Sequence, residues 1–111
     1  MIALITGASK GIGRAIAHSF AGEGLDLILV SRTMRDLAVV KQEIKNLQPG
    51  ITIHIYSADI SKREGIQSLM TYLRTLKIEI DILVNNAGVF IQGEIKSICS
   101  SGRDCFETTI G

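Results

Sequence analysis

Charge of one sign is missing from this sequence of 111 residues: 12 Lys and Arg stand against 11 Asp and Glu, a formal net charge of +1. That balance leaves no electrostatic footprint for nucleic acid or for an anionic membrane. Cysteine is scarce as well. Cys99 and Cys105 make no metal-ligand spacing and no disulfide framework, and they read as reduced thiols of a cytoplasmic protein. Long apolar runs are absent. No stretch approaches the roughly 18 residues of a membrane span, and the opening residues lack the positive region and the length of a signal peptide. Repeats and linkers are lacking too, so residues 1–111 read as one domain. What is abundant is apolar side chain, 46% of residues with mean hydropathy +0.30. Such a chain can build a packed core and is not a disordered one.

Apolar runs alternate with helical periodicities along the chain. Ile2 to Thr6 and Leu25 to Ser31 read as strands buried on both faces, and Asp81 to Val84 as a fourth strand of the same kind. In the third, Ile51, Ile53 and Ile55 alternate with Thr52, His54 and Tyr56, the pattern of a half-buried strand. Helical spacing joins Ile12, Ala15, Ile16, Ser19 and Phe20, with Gly22 and Gly24 as the stop. A second helix carries Leu37, Val40, Ile44 and Leu47 behind a Thr33 cap and ends at Pro49-Gly50. Ser61 is expected to cap a third, with Ile66, Leu69, Met70 and Leu73 on its core face. Val89 to Ser101 reads as loop, and Arg103 to Gly111 as the start of a helix. His18 and His54 fall at exposed-looking positions without assigned chemistry.

The β-α-β-α-β-α-β order predicts an α/β fold, a Rossmann-like parallel sheet with helices on both faces. The alternating third strand belongs at an edge, which gives the strand order 3-2-1-4.

Thr6-Gly7-Ala8-Ser9-Lys10-Gly11-Ile12-Gly13 joins the first strand to the first helix. A glycine-rich turn at a helix start is an anion site, because free backbone N–H groups and the helix dipole both favour negative charge there. Gly7 allows the tight turn, Gly11 lets a pyrophosphate approach the backbone, and Gly13 lets the helix pack close to the sheet. A nucleoside-triphosphatase loop needs Gly-Lys-Ser/Thr after four residues; here Lys10 precedes Gly11 and Ile12 stands at the required glycine position. The spacing is instead G-x-x-x-G-x-G.

That motif resembles the cofactor turn of the short-chain dehydrogenases/reductases. Two more features are similar: Ser57-Ala58-Asp59-Ile60 after the third strand, and Asn85-Asn86-Ala87-Gly88 after the fourth. The resemblance implies a nicotinamide dinucleotide site built from Gly7, Ser9, Lys10, Gly11, Ile12, Gly13, Arg32, Asp59, Ile60, Asn86, Ala87 and Gly88, with Asp59 against the adenine. Asp59 also suits a helix entry, and Asn85 and Asn86 suit turns, roles compatible with cofactor binding. Val30-Ser31-Arg32 places no acid at the end of the second strand, where one would hold a ribose hydroxyl and repel a 2′-phosphate. Arg32 can grip that phosphate with two parallel hydrogen bonds, Lys10 can reach it as a point charge, and Ser9 and Ser31 add hydroxyl donors. NADP(H) is therefore expected over NAD(H). The missing acid also argues against a methyltransferase, whose similar first turn usually goes with an acidic residue at that strand end.

The family's reaction is hydride transfer between the nicotinamide and a carbonyl or alcohol, with a tyrosine acid assisted by a lysine in a Y-x-x-x-K pattern, and with a serine and an asparagine. Here Tyr56 is followed at the lysine position by Ile60, and Tyr72 by Leu76. The expectation is a cofactor-binding half that stops short of the catalytic residues, its sheet incomplete. Residues 106–111 would resemble the helix that presents the asparagine, and Ile82 and Val84 would be left on an open strand-four edge able to pair with a second copy. The alternative is a nucleotide- or partner-binding fragment with no turnover.

Overall fold

Short apolar segments spread along the chain can satisfy their backbone only by pairing, and in a computed structural model they do so in one parallel sheet. The structure describes residues 1–86 and 106–109. The strands are β1 (Ile2–Thr6), β2 (Asp26–Ser31), β3 (Ile53–Ser57), β4 (Ile82–Asn85) and β5 (Phe106–Thr109), in the order β3-β2-β1-β4-β5. Three helices, α1 (Gly11–Gly22), α2 (Met34–Leu47) and α3 (Arg63–Leu76), make the crossovers between the first four strands. The Rossmann-like architecture and the 3-2-1-4 order are as expected, with β3 at an edge.

Alternation along the strands divides the core in two. Ala3, Ile5, Leu27, Leu29 and Val84 pack with Ala17 and Ala21 of α1 and Leu37, Val40 and Ile44 of α2. Leu4, Ile28, Val30 and Leu83 point the other way, onto Ile66, Leu69 and Leu73 of α3. Residues Ala3 to Ile5 and Leu27 to Leu29 have no exposed surface, as continuous apolar strands covered on both faces must. Burial of each large aliphatic side chain contributes about 1.5–3 kcal/mol, which makes these two strands the keel of the fold. Among the described residues no helix is long and apolar enough to cross a membrane.

Several expectations are corrected. Residues 106–109 form no helix: they are β5, parallel to β4 with Val84 opposite Thr108. The strand-four edge is therefore not open. Val84 is 1% exposed and Ile82 packs against the core, so self-association through that edge loses its premise. In α1 the buried stripe is Gly13, Ala17 and Ala21, with Ile16 and Phe20 partly buried, while Ile12, Ala15 and Ser19 are exposed. The small residues face the sheet because the helix lies too close for larger ones. Leu47 is exposed at the end of α2. Lys62, not Ser61, is the N-cap of α3, and Thr33 occupies the N-cap of α2 without a side-chain capping bond. Strands β2 and β3 begin at Asp26 and Ile53, later than their apolar runs. The loop expected at Val89 to Ser101, with Cys99 and Cys105, lies outside the described residues.

His18 is half-buried rather than exposed and belongs to a polar clasp between α1 and α2. Its Nε2 lies 3.2 Å from Oε1 of Glu43, and Arg14 Nε donates to the same oxygen at 3.1 Å while its Nη2 pairs with Oε2. These bonds, that from His18 first, hold the Glu43 carboxyl below its ordinary value of 4.5 against a partial opposing effect of burial. A carboxylate with a lowered pKa in the folded state stabilises fully above its ordinary value and loses that contribution as pH falls through the lower, folded-state value. Glu43→Gln should therefore lower the melting temperature slightly at neutral pH. The gap from wild type should close on acidification below the carboxylate range, as thermal scans across pH will read.

Candidate functional site

In an open parallel sheet the carboxyl strand ends and the following turns form a crevice. Here the ends of β1 and β2 and the turns that follow them, the turn after β3, and Asn86 after β4 line one cleft of about 410 Å³. Of the expected site residues, Gly7, Ser9, Lys10, Arg32, Asp59, Ile60 and Asn86 line it. Gly11, Ile12 and Gly13 belong to the first turn of α1 at its side, outside the lining. Ala87 and Gly88 lie outside the described residues.

The turn is held by a polar knot between the ends of β1 and β4. The buried Thr6 hydroxyl donates to Asn85 Oδ1 at 2.9 Å and accepts the Asn86 N–H at 2.9 Å. Asn86 Nδ2 donates to the Gly7 carbonyl at 3.3 Å. On the other side, the Ala8 N–H donates to the Val30 carbonyl at 3.2 Å. Gly7 and Gly11 take φ of +62° and +56°, a left-handed backbone that glycine adopts without strain. Gly13 serves contact rather than conformation: a Cβ there would lie 2.2 Å from the Gly7 carbonyl oxygen and 2.7 Å from Asn86 Nδ2. A Cβ at Gly11 would meet nothing within 4 Å, so that backbone faces open space. The first turn of α1 carries no acidic residue, which leaves its N-terminus free to favour an anion.

The second wall of the cleft is charged. Lys10 is the extended N-cap of α1, and Arg32 follows β2; both are exposed at the side chain and line the cleft. Ser31 directs its hydroxyl to its own turn, where the Thr33 N–H donates to it at 3.3 Å. Across from Arg32, Asp59 Oδ1 accepts the Ser61 hydroxyl at 2.6 Å and the Ser61 N–H at 3.0 Å. These bonds hold its carboxyl below the ordinary 3.8, helped by the charges of Lys62 and Arg32. The helix-entry role expected of Asp59 thus coexists with a place in the cleft.

Sequence reasoning passed over Thr6 and Gly65. A Cβ at Gly65 would sit 1.8 Å from the Asp59 carbonyl oxygen, so α3 can approach the Asp59 turn only with glycine there. The available signal was a lone glycine inside a helical pattern. Tyr56 and Tyr72 do not line the cleft. Their rings stack at 4.3 Å and 17°, and the Tyr72 hydroxyl is pushed above its ordinary pKa by burial and by Tyr56.

Comparison with known proteins agrees with this geometry. The family described as short chain dehydrogenase matches residues 1–110. The chain is 41% identical over 87 residues to the very-long-chain 3-oxoacyl-CoA reductase-like protein At1g24470 of Arabidopsis thaliana, covering 78% of this chain and 27% of that protein. It is 33% identical over 110 residues to human dehydrogenase/reductase SDR family member 11, covering 98% of this chain and 42% of that one. The chain thus spans less than half the length of these relatives. Among solved structures, the L-sorbose reductase of Gluconobacter frateurii complexed with NADPH and L-sorbose is similar with a TM-score of 0.74 at 38% identity, over 79% of this chain and 33% of that one. The alcohol dehydrogenase of Thermococcus sibiricus complexed with 5-hydroxy-NADP has a TM-score of 0.73 at 34% identity, over 78% and 37%.

The two helix-start glycines should respond differently to a single methyl group. Gly13→Ala drives a Cβ into backbone carbonyl and should cost about 3 kcal/mol or more, the upper range of overpacking. Gly11→Ala meets no atom and should cost about 1 kcal/mol, the strain of a left-handed non-glycine residue. Denaturant midpoints of the two variants measure the difference; equal losses would contradict the close approach at Gly13.

Proposed function

The chain belongs to the short-chain dehydrogenase family, and on that premise we propose that it is the NADP(H)-binding part of an oxidoreductase acting on carbonyl or alcohol substrates by hydride transfer. Residues 1–111 then form the cofactor-binding domain. The observation that carries this reading is the pairing of Lys10 and Arg32 in one cleft with an acid-free glycine turn. Two of the similar structures, named as complexes with NADPH and 5-hydroxy-NADP, support it.

The residues present fit such a cofactor. The open backbone at Gly11 leaves room for a pyrophosphate at the N-terminus of α1, where unpaired N–H groups meet it. Arg32 and Lys10 would hold the 2′-phosphate, Arg32 by a fork of two hydrogen bonds and Lys10 as a point charge. Ser9 would add a hydroxyl. Asp59, kept ionised, would accept from the adenine amino group, with Ile60 beside it. Asn86, braced on Gly7, would hold the far side of the turn. When bound, the cofactor supplies the hydride.

A second reading is favoured for residues 1–111 taken alone. Proton transfer to a substrate oxygen needs an aligned acid. Tyr56 and Tyr72 are stacked on each other away from the cleft, and neither heads a Y-x-x-x-K pattern. A raised hydroxyl pKa at Tyr72 is the reverse of what such an acid requires. By this reading the chain binds the cofactor and turns nothing over.

Titration of NADPH and NADH against the folded chain tests the cofactor. A charged hydrogen bond contributes about 1.5–3 kcal/mol, so NADPH should bind about tenfold to a hundredfold tighter, nearer tenfold at an exposed site. Arg32→Ala should remove most of that preference. Equal affinities in wild type, or a preference that survives the substitution, would overturn it. NADPH oxidation with a panel of ketones and aldehydes should stay at the uncatalysed rate; clear turnover would refute the non-catalytic reading and single out Tyr56 and Tyr72 for replacement by Phe.

A further inference from the structure

Arg32 stands on the turn between β2 and α2, and what fixes that turn is a side chain from the neighbouring strand. Ser31 and Ser57 are opposite one another in the last rung of the β2–β3 ladder. Past that rung, the Ala58 N–H still donates to the Ser31 carbonyl at 2.9 Å. The next carbonyl, that of Arg32, accepts from the Ser57 hydroxyl at 2.9 Å. Ser57 thus extends the ladder by one residue with a side chain in place of a backbone donor. The Ser31 hydroxyl braces the same turn from inside through the Thr33 N–H.

We infer that Ser57 is a positioning residue for cofactor selection: its hydroxyl anchors the Arg32 carbonyl and so aims the guanidinium into the cleft. This rests on the reading of Arg32 as a 2′-phosphate ligand. The guanidinium ends a long stem with several rotatable bonds, and forked recognition of a phosphate depends on where that stem starts. A turn held at both Ser31 and Arg32 presents the stem from one fixed point. A turn held only at Ser31 lets the Arg32 peptide swing, and ordering it again on binding weakens affinity. Ser57 does not line the cleft, so its effect on the cofactor passes through Arg32. NAD(H), which lacks the 2′-phosphate, has nothing to gain from the anchor.

The experiment is a double-mutant cycle on the full chain, with NADPH and NADH dissociation constants measured for wild type, Ser57→Ala, Arg32→Ala and the double variant. Ser57→Ala should weaken NADPH about three- to tenfold, the scale on which one neutral hydrogen bond acts, and leave NADH unchanged. In the Arg32→Ala background it should have no further effect, because the residue it positions is gone. Ser57→Thr, which keeps the hydroxyl, should restore the preference. Equal weakening of both cofactors would mean a general structural role and would overturn the inference. So would an unchanged NADPH affinity, or an effect that persists without Arg32. If wild type shows no preference for NADPH, the cofactor reading itself fails and this inference with it; a wild-type preference untouched by Ser57→Ala sinks the inference alone.

Discussion

The approach of α1 to the turn that precedes it is the constraint on which the rest of the site depends. At Gly13 the helix comes so near that no Cβ fits between it and the Gly7 carbonyl or the Asn86 amide. That proximity sets where the helix N-terminus points, and therefore where its unpaired N–H groups gather. It also explains the small residues Ala17 and Ala21 along the buried face of α1, and the exposure of Ile12. A helix held by a bulky apolar stripe would stand farther from the sheet, and the turn at its head would open away from β4.

The knot around Thr6 makes that approach specific. A hydroxyl with both donor and acceptor roles engaged joins β1 to the end of β4 inside the core, where an unpaired polar group is costly. The strand ends are thereby held in register where the cleft opens. Rigid strands then carry short turns, and the turns carry the charged side chains. Arg32 is fixed through its carbonyl, Asp59 through Ser61, and Gly7 through Asn86. The α1–α2 clasp of Arg14, His18 and Glu43 lies on the outside of this arrangement and joins the two helices that share a sheet face.

The electrostatics of the cleft follow from what β2 omits. Its end carries Ser31 and Arg32, with no carboxylate to compete for the cations of the rim. Asp59 is the acid that faces Arg32 electrostatically, and two bonds from Ser61 occupy one of its oxygens. The result is a cleft in which positive charge is exposed and the negative charge is tied down locally. Such an arrangement favours an anion that carries its charge near Arg32 and Lys10.

Much of this was legible in the residues themselves. Continuous apolar strands, an alternating edge strand and three helical periods determine a parallel sheet and its order, because those patterns report local exposure on each face. The glycine turn, Arg32, Lys10 and Asp59 are equally local signals. Only the tertiary structure decided the matters that depend on distance between segments. Of the pattern Ile12, Ala15, Ile16, Ser19 and Phe20, only Ile16 and Phe20 reach the core, beside the stripe of Gly13, Ala17 and Ala21, since periodicity cannot tell how near a helix lies to its sheet. Residues 106–109 read as a helix start and became β5, since a strand's partner, β4, supplies what its own sequence does not show. Ser61 read as a cap and instead serves Asp59, because a hydroxyl takes whichever neighbour the turn presents. Gly65 is set by the backbone of the nearby Asp59 turn, which its lone-glycine signal marks without saying what it meets. Thr6 and Ser57 owe their roles to atoms far away in the chain, at Asn85 and Arg32, and no local pattern records contacts of that kind.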